Sequence, residues 1–559
     1  MTLPSTASLL LLAGSLSLAA HPARAQASAP AFLPDAPSAV LFPAAPAPEV
    51  ADASFPGWQP HPLFLGPDSP DSPDSTDSLD DTDDPQSFTG KSAPPRPVVK
   101  NVDEDADPQP TFMKYLAERG LHNLEDERWN AYGQVTYIYG WKKAFYAKYT
   151  NLNGSLNSLL PTAEQSFTGT ATLYLGARLW KGAEAYWVPE VISERPLSQL
   201  KGLGGAIQDF ELQKGGAEAP TLYSSRSYLR QTFNFGGEHE HQESGQTSLA
   251  GDHDSRRLVL IAGDFSVLDF FDKNPFGIDP RQGLFSLAFL TYTAYDFASD
   301  ARGYSWGFVS EFYWDKWAAR YARLTPPKDP NQLPVDFRFF KFYGDQIEFE
   351  HHHQLHSKEG VVRLLVFRNH ENIGRFSDAI AAFQADPARN ATTCTGFNYG
   401  SNNATAPDLC WVRKPNNKVG IGMYGEQYIA RDIGVFARAM YSDGKTEVDA
   451  YTPTDRSASA GVLAKGTLWH RPQDMTGGGV NYGWISSSHA QYLRMGGIDG
   501  FIGDGYITPA AEGSLDVFYS LNIHKSYWLA GDYQRVVNPG FNSDRGPVDI
   551  FNIKIHGEF

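Results

Sequence analysis

Apolar and polar positions alternate with a period of two along much of the chain from Trp129 onward. The last eleven residues show it most plainly. Phe551, Ile553, Ile555, Gly557 and Phe559 share one side of the backbone, while Asp549, Asn552, Lys554, His556 and Glu558 supply polar character and Ile550 is the apolar exception. Successive side chains of a strand point to opposite faces, so this segment has one oily face and one wet face. Thr170–Trp180 repeats the pattern: Ala171, Leu173, Leu175, Ala177 and Leu179 oppose Thr170, Thr172, Tyr174, Gly176, Arg178 and Trp180. Val419, Ile421 and Met423 oppose Lys418, Tyr424 and Glu426, and Val362, Leu364 and Val366 oppose Arg363.

Segments of this kind predict strands at 129–139, 169–179, 183–190, 226–235, 256–264, 303–313, 317–324, 344–355, 361–368, 418–429, 433–441, 459–468, 477–485, 513–523, 526–534 and 549–559. That is sixteen, an even number that puts both ends of the array on one side; Ala144–Thr150 is assigned to the first long loop. Tight links, such as those at Trp180–Ala183 and Trp314–Trp317, alternate with long irregular stretches at 190–225, 325–343, 369–417, 442–458, 486–512 and 535–547. Short turns on one side and long loops on the other, with aromatics near the segment ends, predict an all-β transmembrane antiparallel barrel of about 16 strands in a bacterial outer membrane. A soluble sandwich of this size would bury more continuous Val/Ile/Leu runs. No apolar run beyond the N-terminus approaches the ~20 residues of a membrane helix, and a closed sheet is the other structure that satisfies every backbone group in lipid.

The two ends carry different information. Leu9–Ala20 is apolar apart from Ser and Gly and is followed by Ala23-Arg24-Ala25, which reads as a secretory signal over 1–25, although no Lys or Arg precedes it. Residues 26–110 are rich in Pro, Ala, Ser and Asp and are expected to form a disordered periplasmic arm, with a short helical or irregular lead-in at 111–128 and the barrel at 129–559. Residues 1–110 hold 15 acidic and 4 basic residues, so they carry −11 of the net −17. The acidity therefore belongs to the arm and not to a charged binding surface. Cys394 and Cys410, the only cysteines, lie in a stretch crowded with Asn, Gly, Thr and Pro. They are expected to pair as a disulfide stapling one surface loop.

Several longer stretches are more specific than alternation. They include Ala262-Gly263-Asp264-Phe265-Ser266-Val267-Leu268-Asp269-Phe270-Phe271-Asp272 with Asn274-Pro275 and Asp279-Pro280-Arg281, then Asp300-Ala301-Arg302-Gly303-Tyr304 with Trp306-Gly307. Others are Asp443-Gly444-Lys445-Thr446-Glu447 with Asp455-Arg456-Ser457, and Asp532-Tyr533-Gln534-Arg535 with Asn538-Pro539-Gly540 and Asp544-Arg545-Gly546-Pro547 before the closing His556-Gly557-Glu558-Phe559. With these, residues from about 121 to 559 resemble the carbohydrate-selective porins of the OprB type. The resemblance implies a sixteen-stranded barrel and passive, carbohydrate-selective uptake of sugars into the periplasm. The acidic arm is not part of that pattern. An export conduit for exopolysaccharide or a general non-selective porin remains an alternative, and no Ser/His/acid or paired-acid arrangement favours an enzyme.

A sugar offers hydroxyls and apolar ring faces, so a selective lumen needs bidentate donors and acceptors beside aromatic rings. By alternation the lumen wall is expected to include Arg178, Glu184, Arg230, Glu348, Glu350, Arg363, Glu426, Asp532 and Gln534. Most wall charges of a sixteen-stranded pore serve as hydrated electrostatic lining, which is the other reading for each of them. The aromatic stretch 265–302 is expected to bend into the pore as a constriction, with Phe270 and Phe271 offering ring surface and Asp269, Asp272 and Arg281 offering polar partners. A loop packed over the rim is the other possibility. No cofactor or metal is expected: His351 and His353 point away from His352 in a strand, and His239, His241 and His253 fall in one long connection. Expected partners are sugars, outer-membrane lipid and the barrel-assembly machinery, through the strand ending in Phe559; nucleic acid is not expected, and the oligomeric state stays open.

Overall fold

The computed structural model describes residues 112–209, 217–276, 283–388, 405–450 and 452–559. The signal, the arm, Arg281 and Cys394 lie outside them. Helix α1 (Phe112–Ala117) leads into β1 (Trp129–Lys142), β2 (Glu164–Trp180), β3 (Ala183–Arg195) and β4 (Thr221–Asn234). A small pair, β5 (His239–Gln242) and β6 (Gly251–Asp254), precedes β7 (Arg256–Ser266). The chain continues through β8 (Tyr304–Trp314), β9 (Trp317–Leu324), β10 (Tyr343–Leu355), β11 (Lys358–Ile373), β12 (Lys414–Ala430), β13 (Ile433–Ser442) and β14 (Arg456–Lys465). It ends with β15 (Met475–Trp484), β16 (Glu512–His524), β17 (Tyr527–Val537) and β18 (Val548–Glu558). All but β5 and β6 form one closed antiparallel barrel in which each strand pairs with its barrel neighbours in chain order. The sixteen barrel strands are those expected from alternation, most of them longer by a few residues. No helix among the described residues is long and apolar enough to cross a membrane.

Closure depends on both ends of the sheet. β1 pairs with β18 from Gln134↔Glu558 to Lys142↔Ile550, and Phe559 extends the ladder by exchanging two backbone hydrogen bonds with Gly133, at 2.8 and 3.0 Å. A Cβ on Gly133 would lie 2.1 Å from the Phe559 ring, so the last aromatic seats only over a glycine.

The two faces separate as the pattern requires. Val419, Ile421, Met423, Val362, Leu364, Val366, Ile553 and Ile555 are exposed on the outside, whereas Lys418, Glu426, Arg363, Asn552, Lys554 and His556 are buried inside. A register irregularity lies between Arg178 and Trp180 at the end of the β2–β3 ladder, and Trp180 is exposed there. The connection 235–255 is not a plain loop but holds the β5–β6 hairpin.

The lumen is filled largely by chain. Residues 267–276 and 283–303, the latter including helix α2 (Leu287–Leu290), are tied to strands around the ring. Asp516 of β16 accepts from the Phe285 and Ser286 amides at 3.0 and 2.8 Å. Lys554 of β18 lies 3.7 Å from the Phe285 ring centroid. Lys418 of β12 pairs with Asp296 at 2.6 Å, and Asn369 of β11 donates to the Asp296 carbonyl at 2.6 Å. Phe, Leu, Ala and Tyr side chains of this segment form the main hydrophobic core, so the apolar centre of this barrel is its inserted loop.

A second core lies at the end with long loops, where helix α3 (Phe376–Ala385) and helix α4 (Ser487–Arg494) meet. Phe376 stacks on His489 at 4.2 Å, and Leu409, Tyr492 and Phe541 pack with them. Nearby Cys410 is disulfide-bonded, and its amide donates to Asp408 at 3.1 Å. Burial pushes the Asp408 carboxyl up to about 7. The folded loop therefore binds a proton that the unfolded chain releases near pH 4. Its stability is greatest at low pH and declines as pH rises toward about 7. Amide exchange at 405–412, corrected for intrinsic rates, should be slower at pH 5 than at pH 8. Equal protection at both values would mean that Asp408 is solvated.

Candidate functional site in the lumen

A ring of paired charges occupies the wall where β8 to β12 face inward. Arg320 of β9 is its centre and is only 1% exposed. Its guanidinium donates to Glu311 at 3.0 Å, to Glu348 at 2.8 Å and to Glu350 at 2.9 and 3.1 Å. Arg363 donates to Glu350 at 2.8 Å and to Glu426 at 3.4 Å. Tyr424 and Tyr313 donate to Glu426 and Glu311, at 2.5 and 2.7 Å. The same two rings lie 4.9 Å from Arg363 and 5.7 Å from Arg320, within cation–π range. Strand register makes this possible, because Glu348 and Glu350 stand opposite Arg320 and Ala318 on one side and Leu365 and Arg363 on the other.

Across β2, β3 and β4 a smaller group repeats the theme. Glu184 lies 3.5 Å from Arg230 and 3.7 Å from Arg178, and accepts from Tyr186 at 2.8 Å. Arg178 also pairs with Asp126 of the lead-in. A cavity of about 2050 Å³ connects the two groups, lined by Arg230, Glu311, Arg320, Glu350, Arg363 and Glu426 among others. Its charges are paired within the wall, so it presents fixed dipoles and hydrogen-bonding edges more than a net field.

Sequence-selected residues divide three ways. Arg178, Glu184, Arg230, Glu350, Arg363 and Glu426 line the cavity, as do Asp269 and Phe270. Glu348, Asp532 and Gln534 face inward but are covered: the Asp272 amide donates to Glu348 at 2.8 Å, and Gln534 donates to Asp532 and to the Gln208 carbonyl, both at 2.9 Å. Two constriction residues do something other than expected. Phe271 is fully buried and offers no ring to the lumen. Asp272, at φ 48°, accepts from Thr291 at 2.6 Å, from the Tyr292 amide at 3.0 Å and from Arg438 at 3.1 Å. All three bonds fall on Oδ2 and latch the inserted segment to β13, while Oδ1 is buried without a hydrogen-bond partner. Burial pushes its carboxyl above the usual range despite Arg438. Asp269 is gripped by Arg226, with two hydrogen bonds of 2.7 Å.

Alternation could have found Arg320 and Glu311, since both take the inward parity of β9 and β8. Only tertiary structure shows that Arg320 joins three carboxylates. The β5–β6 hairpin was invisible to periodicity. Its tip enters the lumen at the end bearing Phe559, where Tyr132 and Ser244 share a 2.6 Å hydrogen bond and Gln246 donates to Gln134 at 3.1 Å. Arg230 donates to the Thr247 carbonyl at 3.0 Å, and the Leu249 amide donates to Tyr186 at 3.1 Å. Buried Glu127 of the lead-in accepts from Ser244 and the Ala250 amide, at 2.7 and 2.8 Å. Hairpin, lead-in and wall are thus joined.

Residues 157–559 match the family model of the carbohydrate-selective porins, OprB family. The chain belongs to the OprB family. It is an outer-membrane carbohydrate-selective porin. The high-pH structure of Pseudomonas putida OprB superposes with a TM-score of 0.57 at 13% identity, covering 80% of this chain and 96% of that one. This likeness is one of fold. The outer membrane channel DcaP of Acinetobacter baumannii gives a TM-score of 0.41 at 9% identity, covering 77% of this chain and 97% of that one. Among curated proteins no sequence matches.

Proposed function

We propose that neutral sugars diffuse through this porin past the Arg320–Arg363 ring and beneath the β5–β6 hairpin, entering from the long-loop end and leaving into the periplasm. The observation that carries this reading is the ring itself, in which arginines, glutamates and tyrosines alternate along a cavity. Guanidinium N–H groups and carboxylate lone pairs left over from the wall network can hydrogen-bond to hydroxyls, and the wall charges are already compensated, which favours uncharged polyols over ions. Contacts of this kind are exchangeable, as a conducting pathway needs. Arg178, Glu184 and Arg230 would form the next contacts, with Asp269 and the Phe270 edge beside them. Arg281 would supply a further donor, and Cys394 would pair with Cys410. Residues 26–110 would serve as a periplasmic tether, and the β18 terminus would be read by the barrel-assembly machinery.

Planar-bilayer conductance of the full chain tests the pathway. Added glucose and short maltooligosaccharides should reduce ion current in a graded, saturable way, while an uncharged polyethylene glycol of similar size reduces it less. Equal reduction by sugar and polymer would make the channel a size filter without carbohydrate preference.

A further inference from the structure

The connection from β9 to β10 carries the sequence Asp336-Phe337-Arg338-Phe339-Phe340-Lys341-Phe342, and it lies on the outside of the barrel. Trp306 has the outward parity of β8, and the Phe337 ring meets its indole edge-on at 6.1 Å. Phe342 stacks at 6.2 Å on His370, an outward residue near the long-loop end of β11. Between these two anchors the Lys341 and Phe342 amides both donate to the Arg338 carbonyl, at 2.7 and 3.0 Å. That tight turn leaves Phe340 at its tip, 94% exposed. In water such a ring is an uncompensated apolar surface, whereas at the rim of a lipid-facing wall it is an interfacial anchor.

Cations surround it. Arg338 and Lys341 lie 4.9 and 5.3 Å from the Phe342 ring centroid. Arg338 is paired with Asp336 through hydrogen bonds of 2.9 and 3.1 Å. On the adjoining wall Asp345 stands between Arg323 and Arg368 in register, and it pairs with Arg323 at 2.7 Å. Arg368 donates to Asn417 at 3.2 Å. Among the described residues no carboxylate lies within ion-pair distance of Lys341 or Arg368. This strip of an acidic chain is therefore locally positive, beside an exposed phenylalanine at the boundary of the lipid-facing surface.

We propose that the turn 336–342, with Arg368, binds the phosphate-bearing headgroup of a lipid in the leaflet at the long-loop end, while Phe337 and Phe340 contact its acyl region. Charge complementarity supplies the headgroup choice, since cations at a membrane surface attract anionic lipid. The exposed rings supply the preference for a lipid over a free anion.

The test is titration of the full-length protein in non-ionic detergent with lipopolysaccharide, followed by native mass spectrometry. Lys341→Gln with Arg368→Gln should bind about 25-fold more weakly, from the ~1 kcal/mol that each basic residue contributes near an anionic surface. Lys341→Gln alone should bind about fivefold more weakly, and it serves if the double variant fails to fold. Phe340→Ser should weaken binding of lipopolysaccharide but not of its deacylated form. Unchanged affinity in the charge variants would overturn the proposal. So would displacement by millimolar inorganic phosphate, which would indicate a small-anion site, or a change in protein stoichiometry without a change in bound lipid, which would assign the surface to a second copy of the chain.

Discussion

Arg320→Ala should convert a channel suited to neutral solutes into one that prefers cations. The guanidinium makes four hydrogen bonds to three inward carboxylates, Glu311, Glu348 and Glu350. Of these, Glu350 retains Arg363 and His352, at 2.8 Å each. Removing one partner of a buried ion network leaves charge without compensation, at a cost of about 3–5 kcal/mol where the group stays dry. In a lumen that water can enter, part of that cost is relieved by hydration and by recruited cations. Two signatures should therefore appear together. The reversal potential in a potassium chloride gradient should move toward the cation limit, and sugar block should weaken by roughly 1–2 kcal/mol, as expected for lost charge-assisted hydrogen bonds. Arg320→Lys separates the two: it restores the charge but not the planar fork, so ion selectivity should return while sugar block stays weak. A reversal potential unmoved by Arg320→Ala would mean that ions and sugars travel another route.

Removal of residues 239–254 should roughly double single-channel conductance and weaken discrimination among oligosaccharides, because the hairpin tip shares the lumen cross-section at the end bearing Phe559. The deletion is geometrically feasible, since the Ser255 amide already donates to the Glu238 carbonyl at 2.8 Å. The barrel strands on either side, β4 and β7, pair directly with each other from Ser227↔Asp264 to Asn234↔Arg257, so the wall should close without the hairpin. Within the intact protein, Arg257 and Glu240 hold the hairpin to β7 at 3.1 Å. Hydrogen bonding from His253 keeps the Glu240 carboxyl below its usual range, with Arg257 adding to the effect. A depressed carboxylate stabilises the folded arrangement above its unfolded pKa and loses that contribution as pH falls through the folded value. Acidification below about pH 4 should therefore loosen the tip and mimic the deletion in part. Unchanged conductance after deletion would place the narrowest point wholly at the inserted stretches 267–276 and 283–303.

Alternation made the barrel legible, but it could not say what inward residues meet. Parity placed Glu350, Arg363 and Glu426 inside, and they are inside. The same rule put Trp180 with Arg178, and both line the cavity. Phe270 and Phe271 read as rings offered to the lumen, yet both are buried in the core, at 2% and 0% exposure. Asp272 read as a polar partner for a ligand, and its hydrogen bonds make it a latch.

By itself the sequence determined the fold class, the strand count, the inward and outward parity and the membership suggested by its longer motifs. Those properties depend on neighbours one or two positions apart, where backbone geometry alone sets side-chain direction. Tertiary structure decided the rest: which charges pair across strands, how the stretches 267–276 and 283–303 sit in the lumen, where the β5–β6 tip lodges, and that the Phe340 turn lies outside. These outcomes rest on contacts such as Asp272 with Arg438 and Glu127 with Ala250, between residues more than a hundred positions apart. Strand register and loop path fix such contacts, and a period of two carries no information about either.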